Sequence, residues 1–188
     1  RTVSRGARAA GRHPRSGDRL FRNDGARFTD MSDAAGIFGG GFGLGIVASD
    51  VNLDGCADIY VANDFQEDDF LYINQCDGTF SETITTATGH TSRFSMGVDA
   101  ADLSNDGRPD IVVLDMLPER EDILKTSANA EGFDVYNLRL RAGYHPQFAR
   151  NTLQLYRGGG RFSDIGYLAR VHATDWSWAP LLSHLPND

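Results

Sequence analysis

Residues 50–58 read DVNLDGCAD and residues 102–110 read DLSNDGRPD. Each stretch carries oxygen-bearing side chains at positions 1, 3, 5 and 9, with a glycine at position 6. The flanks repeat as well. GLGIVASD (43–50) leads into the first stretch and SMGVDAAD (95–102) into the second; ADIYVAND (57–64) and PDIVVLDM (109–116) follow them. A further signature comes round three times, as LFRNDGARFTD (20–30), LYINQCDGTFSE (71–82) and LQLYRGGGRFSD (153–164). The two loops start 52 residues apart, so internal repetition organises the chain.

The repeated segments read as β structure. DIYVAN and DIVVLD are short, rich in branched residues, and start directly after a glycine-containing loop. LYIN and LQLY alternate, then give way to glycine-rich turns and a phenylalanine-centred strand such as GTFSE. Units of this size cannot bury their own faces and must stack, which predicts the blades of a β-propeller. Two full units and parts of others do not close a ring, so the expected fold is all-β and a partial propeller. The third unit is delayed by extra sequence in 117–150, whose composition near 119–130 suits helix; an insertion with short helices is expected there. SWAPLLSH (177–184) aligns with GLGIVASD, which puts His184, Pro186 and Asp188 at positions 1, 3 and 5 of a degenerate third loop.

Two intact loops with the same oxygen pattern point to a hard divalent cation. Ca²⁺ takes six to eight oxygen ligands at about 2.3–2.6 Å. In the first loop Asp50, Asn52, Asp54 and Asp58 offer side-chain oxygens and Cys56 a carbonyl; in the second, Asp102, Ser104, Asp106 and Asp110 do so, with the Arg108 carbonyl. Glycine at position 6 permits the sharp turn that converges them. An EF-hand would need a bidentate Glu at position 12 and flanking helices. Position 12 is Val61 in one loop and Val113 in the other, and strand sequence follows both. The loops are therefore read as strand-to-strand calcium loops with a structural role, the second weaker because Ser104 replaces Asn52.

Cys56 and Cys76 flank the hairpin made by 57–63 and 71–75. Pairing residue 63 with 70 would set 56 opposite 77, one position from Cys76; with a loop shift or bulge a disulfide is the expectation, and two free thiols of a cytosolic protein are the alternative. An oxidising, calcium-rich exterior suits both features.

Charge is uneven. Lys and Arg number 18 against 26 Asp and Glu; five of the Arg fall in residues 1–17, with no acid, leaving the remainder at about −13. Residues 1–18 are read as a basic, disordered leader, and 19–188 as the repeat region. An acidic body repels phosphates, so nucleic acid is excluded as its partner. No run of 18 apolar residues suggests a transmembrane helix. TDWSW (174–178) holds both Trp residues; burial in the propeller is expected, with sugar stacking the alternative. The histidines form no HExxH, and there is no GxSxG, P-loop or strand-to-helix GxGxxG. GGGFGLG (39–45) precedes a strand and is no phosphate cradle. Catalysis is not expected.

The runs RLFRNDGARFTDMSDAAGI (19–37), FGLGIVASDVNLDGCADIYVAND (42–64), SMGVDAADLSNDGRPDIVVLDMLP (95–118), RNTLQLYRGGGRFSDIG (150–166) and ATDWSWAP (173–180) resemble FG-GAP/VCBS repeats. Specifically, they are similar to the secreted branch related to cartilage acidic protein, which often carries a C-terminal ASPIC/UnbV segment. The resemblance spans 19–182. It implies an integrin-α-like propeller with calcium held by Asp50, Asn52, Asp54 and Asp58 and by Asp102, Ser104, Asp106 and Asp110, and a place outside the cell or on its surface; for a bacterial protein that means the periplasm or outer surface. The leading expectation is a non-catalytic module for adhesion, matrix or surface interaction with a protein or glycan. The alternatives are a glycan- or substrate-binding accessory of a larger secreted enzyme, and a self-assembling surface or fibre subunit.

Overall fold

The computed structural model describes residues 17–65, 67–127 and 132–183. The basic leader up to residue 16 and the degenerate third loop from His184 onward lie outside these residues. Strand β1 (Phe21–Asn23) turns into β2 (Phe28–Asp30), and a single helical turn, α1 (Ser32–Ala35), follows. The first complete sheet is β3 (Phe42–Ser49), β4 (Asp58–Asp64), β5 (Phe70–Asn74) and β6 (Phe80–Glu82), antiparallel and in chain order. After α2 (Ile84–Ala87) and β7 (Thr91–Ser92) comes β8 (Gly97–Ala101), then β9 (Asp110–Leu114). The insertion holds α3 (Glu121–Ser127), α4 (Phe133–Arg141) and β10 (Gln147–Phe148), and β11 (Thr152–Gly158) and β12 (Arg161–Asp164) complete the second sheet in the order β8-β9-β11-β12. Both sheets are four-stranded antiparallel meanders: two successive blades of a partial β-propeller.

The sequence accounts for the strand order. In β4 the run DIYVAN is covered on both sides, and Tyr60, Val61, Ala62 and Asn63 are all buried, so the apolar stretch is nearly continuous rather than alternating. Tyr60, Ala62, Leu71 and Ile84 of the first blade share one core with Val98, Ile111, Val113, Tyr156 and Phe162 of the second. Each of the larger aliphatic and aromatic side chains among them contributes about 1.5–3 kcal/mol on removal from water. A smaller cluster of Ala35, Ile37, Val61 and Tyr72 seals the opposite side of the first sheet, with Leu20 packed against it.

The innermost strands come together through small residues. A Cβ on Gly45 would lie 2.9 Å from the Gly97 Cα. A Cβ on Gly97 would collide with the Trp178 carbonyl oxygen and lie 3.2 Å from the Ala179 Cα. Residues 45, 97 and 179 hold the same place in three successive units, and Leu182 N–H donates to the Asp99 carboxylate at 2.7 Å. The segment 177–183 thus lies beside β8, in the place of a third inner strand, without itself forming a strand.

Strand direction separates two ends. The loops 50–57 and 102–109 join the first and second strands of each blade at one end, while loop 65–69 and the insertion join second to third strands at the other. The insertion docks on the first blade. His145 N–H donates to the Asp68 carboxylate (3.1 Å), the Gln147 amide donates to the Glu67 carbonyl (2.7 Å), and β10 pairs with β7 in parallel.

Two expectations are corrected. Ile59 pairs with Tyr72 and Val61 with Phe70, a register that sets residue 56 opposite 75, not 77. The Asp58 carboxylate at the start of β4 accepts the Asn74 N–H at the end of β5 and ties the strands in that register. The Trp pair is not buried: Trp176 is 69% and Trp178 60% exposed, because they lie at the start of the irregular segment beside β8, where no further sheet packs on them among the described residues.

Candidate metal centres

The two loops fold alike at positions 1, 5, 6 and 7. Asp54 N–H and Gly55 N–H donate to the two oxygens of Asp50, at 3.0 and 2.8 Å; Asp106 N–H and Gly107 N–H donate to those of Asp102, at 3.1 and 2.8 Å. Cys56 N–H reaches Asp54 Oδ1 at 2.9 Å, and Arg108 N–H reaches Asp106 Oδ1 at 3.0 Å. Both loops pass through left-handed backbone at positions 4 and 6. Gly55 and Gly107 are suited to this; Leu53 (φ 61°) and Asn105 (φ 59°) adopt it at some steric cost. Position 3 differs. Asn52 Oδ1 accepts Asp54 N–H (3.0 Å) and its amide donates to Asp54 Oδ2 (2.8 Å), whereas the shorter Ser104 side chain makes no corresponding bond among the described residues.

Position 9 has a second task that the repeat pattern does not reveal. Asp58 is 1% exposed, and its oxygens accept Val51 N–H (3.0 Å) and Asn74 N–H (2.8 Å). Asp110 is 0% exposed and accepts Leu103, Ser104 and Tyr156 N–H at 3.0–3.1 Å. Each of these carboxylates pins the loop entrance to the blade's third strand. Nothing local signals this, because Asn74 and Tyr156 are distant in sequence; the signal is the matching register after each loop.

Among the described residues the three carboxylates of neither loop bring oxygens within 4.8 Å of one another, but the donor set suits a hard cation in its chemistry. It is made only of carboxylate, amide, hydroxyl and carbonyl oxygens, and a carboxylate oxygen that accepts one N–H keeps a lone pair for a metal. Burial pushes the Asp58 carboxyl up; the Asn74 and Val51 N–H groups oppose that, and the Asp54 and Asp50 charges push it further up. Among the described residues no ion pair offsets Asp50, Asp54, Asp58, Asp102, Asp106 or Asp110. Asp50, Asn52, Asp54, Asp58 and the Cys56 carbonyl could hold one Ca²⁺; Asp102, Ser104, Asp106, Asp110 and the Arg108 carbonyl a second.

Cys56 and Cys76 form a disulfide, with Cα atoms 5.7 Å apart. It crosses from position 7 of the first loop to the β5–β6 turn. Asp54, Cys56 and Cys76 bring an oxygen and two sulfurs within 4.8 Å of one another, but bonded sulfurs offer no thiolate, so this is not a soft-metal site.

Residues 50–113 match the family model described as FG-GAP-like repeat. The match runs from the first residue of the first loop to β9, across the junction of the two blades. No curated protein matches the chain.

Proposed function

We propose that the chain is a calcium-binding, non-catalytic propeller module of the integrin-α-like kind, working outside the cell or on its surface and presenting its blades to a protein or glycan partner. The observation that carries this is the repetition of one hydrogen-bonded, all-oxygen loop at the same end of both blades. Its finer placement beside cartilage acidic protein belongs to the same proposal and rests on the motifs quoted above. The disulfide supports an oxidising compartment, the periplasm or outer surface included. No helix among the described residues is long and apolar enough to cross a membrane.

The ions neutralise carboxylates that otherwise repel, so their role is structural. Isothermal titration with CaCl₂ should find two sites in the native chain and one each in Asp54→Ala and Asp106→Ala. Heats no larger than those of buffer dilution would remove the proposal.

The exposed Trp176 and Trp178 favour a second reading, a glycan-binding accessory module of a larger secreted enzyme. Glycan-array binding lost in Trp176→Ala and Trp178→Ala would support it. A third, the self-assembling subunit, draws on exposed Phe42, Leu44 and Ile46 at one flank of the blades and Trp178 and Leu181 at the other. Light scattering with and without Ca²⁺ tests that one.

A further inference from the structure

The two loops differ in what holds them from the side. In the first blade the disulfide ties position 7, Cys56, to Cys76 in the β5–β6 turn, where Cys76 takes φ 60°. In the second blade the same two places are Arg108 and Gly158, and Gly158 takes φ 88°. A Cβ on Gly158 would lie 3.6 Å from the Arg108 guanidinium, which also sits over the Tyr156 ring at 5.6 Å. One blade fills this slot with a covalent bond, the other with a stacked cation.

The first arrangement reaches further into the loop. Cys76 Sγ lies 3.7 Å from Asp54 Oδ1, and Asn74, two residues earlier, is bound to three parts of the clasp. Its N–H donates to Asp58 (2.8 Å), its amide to the Ala57 carbonyl (3.0 Å), and its Oδ1 accepts Cys76 N–H (2.9 Å). The disulfide therefore fixes the backbone that presents the Cys56 carbonyl together with the carboxylates on either side of it.

We propose that the Cys56–Cys76 disulfide pre-organises the first calcium loop, so that reduction weakens this site and leaves the second unchanged. The inference rests on the calcium reading above. Pre-organisation raises affinity by removing ordering that the ion must otherwise impose. Reduction by a dithiol or a trialkylphosphine breaks the S–S bond with two electrons and two protons, giving two thiols and the oxidised reagent. Cys56 then loses its covalent tie to the β5–β6 turn and is held by hydrogen bonds alone, its N–H to Asp54 and the Asn74 amide to the neighbouring Ala57 carbonyl. Linkage makes the effect reciprocal: Ca²⁺ bound at the first loop must stabilise the disulfide by the factor the disulfide lends to Ca²⁺.

The test uses the full chain with Ca²⁺ as the only probe. Asp106→Ala leaves the first loop intact and Asp54→Ala the second; each is titrated before and after treatment with a trialkylphosphine. Affinity in Asp106→Ala should fall about tenfold on reduction, and affinity in Asp54→Ala should stay the same. The Cys56→Ser/Cys76→Ser chain should reproduce the reduced state without reagent. Equal affinity before and after reduction in Asp106→Ala overturns this inference while leaving the calcium reading intact. Equal losses in both variants also overturn it, showing a staple of the whole fold. Absence of binding in the oxidised native chain overturns both. As an independent readout, the fraction of disulfide at equilibrium in a glutathione buffer should rise with Ca²⁺; no change would contradict the coupling.

Discussion

Asp69 and Asn151 hold the same hydrogen bond in the two blades. Asp69 accepts the N–H of Asn63 at 2.8 Å, and Asn151 accepts the N–H of Asp115 at 2.6 Å; each ties the end of a blade's second strand to the start of its third. One is an acid and the other a neutral amide, and both are buried. The bond itself does not require a charge. The acid does carry a consequence, because burial, the largest influence, raises the Asp69 carboxyl to about 7, against the donors Asn63, Tyr60 and Ser95 and with the neighbouring Asp68 raising it further.

A carboxyl raised on folding binds its proton more tightly in the native state. Its contribution to stability is full below about pH 4 and is lost as pH rises through about 7, by at most about 4 kcal/mol. Asp69→Asn copies the Asn151 arrangement, with its amide facing the Tyr60 and Ser95 hydroxyls. Melting curves from pH 4 to 8 should show a smaller decline in the variant than in the native chain. An unchanged decline would contradict the assignment.

The close passage of the inner strands gives a second prediction. Gly97→Ala should destabilise by about 1–3 kcal/mol or more, since the obstacle is the backbone at Trp178 and Ala179, which has no rotamer to yield. Gly89→Ala, with nothing within 4 Å of the added methyl, should be close to neutral. Urea denaturation of the pair checks the contrast.

Asp58 and Asp54 sit four residues apart and should fail differently. Asp58→Ala strands the buried Val51 N–H and the half-buried Asn74 N–H, costing about 2–5 kcal/mol whether or not calcium is present. Asp54→Ala removes an exposed side chain; it should melt close to the native chain in EGTA and lose the calcium-dependent gain. With calcium, its loss should exceed that of Ser104→Ala. Melting each variant with and without calcium separates the two roles.

Arg150 and Asp164 form a buried ion pair at 2.6 Å, with His90 Nε2 3.0 Å from the same carboxylate oxygen. Burial alone would raise the Asp164 carboxyl, but His90, the Gly166 and Leu153 N–H groups and Arg150 together hold it well below the usual range. A depressed carboxyl adds stability above its unfolded value, near pH 4, that is lost as pH falls. Arg150→Ala leaves Asp164 poorly matched and should cost about 3–5 kcal/mol at pH 7, with a weaker acid dependence. Equal acid dependence of native and variant chains would exclude this role.

The sequence makes the strands and loops legible because they recur in register: DVNLDGCAD and DLSNDGRPD are each followed by a strand, and the structure has those strands at β4 and β9. The disulfide is legible from the hairpin, although the register differs by two residues. The single helical turns at Ser32–Ala35 and Ile84–Ala87 are not, since four residues carry no periodicity; they follow from tertiary bonds such as Thr83 N–H to the Leu71 carbonyl. The double role of Asp58 and Asp110, and the docking of the insertion on Glu67 and Asp68, depend on partners far along the chain. Composition likewise says nothing of which face of a strand lacks a neighbour, which is why the Trp residues stand exposed.

Thermal unfolding of the disulfide-intact chain in excess CaCl₂ and in excess EGTA tests the calcium claim most directly. An ion that binds only the folded state must raise the midpoint with its free concentration. The midpoint should rise by several degrees in calcium, by less in Asp54→Ala, and not at all in a chain carrying Asp54→Ala and Asp106→Ala together. Identical melting of the native chain in calcium and in EGTA would contradict it.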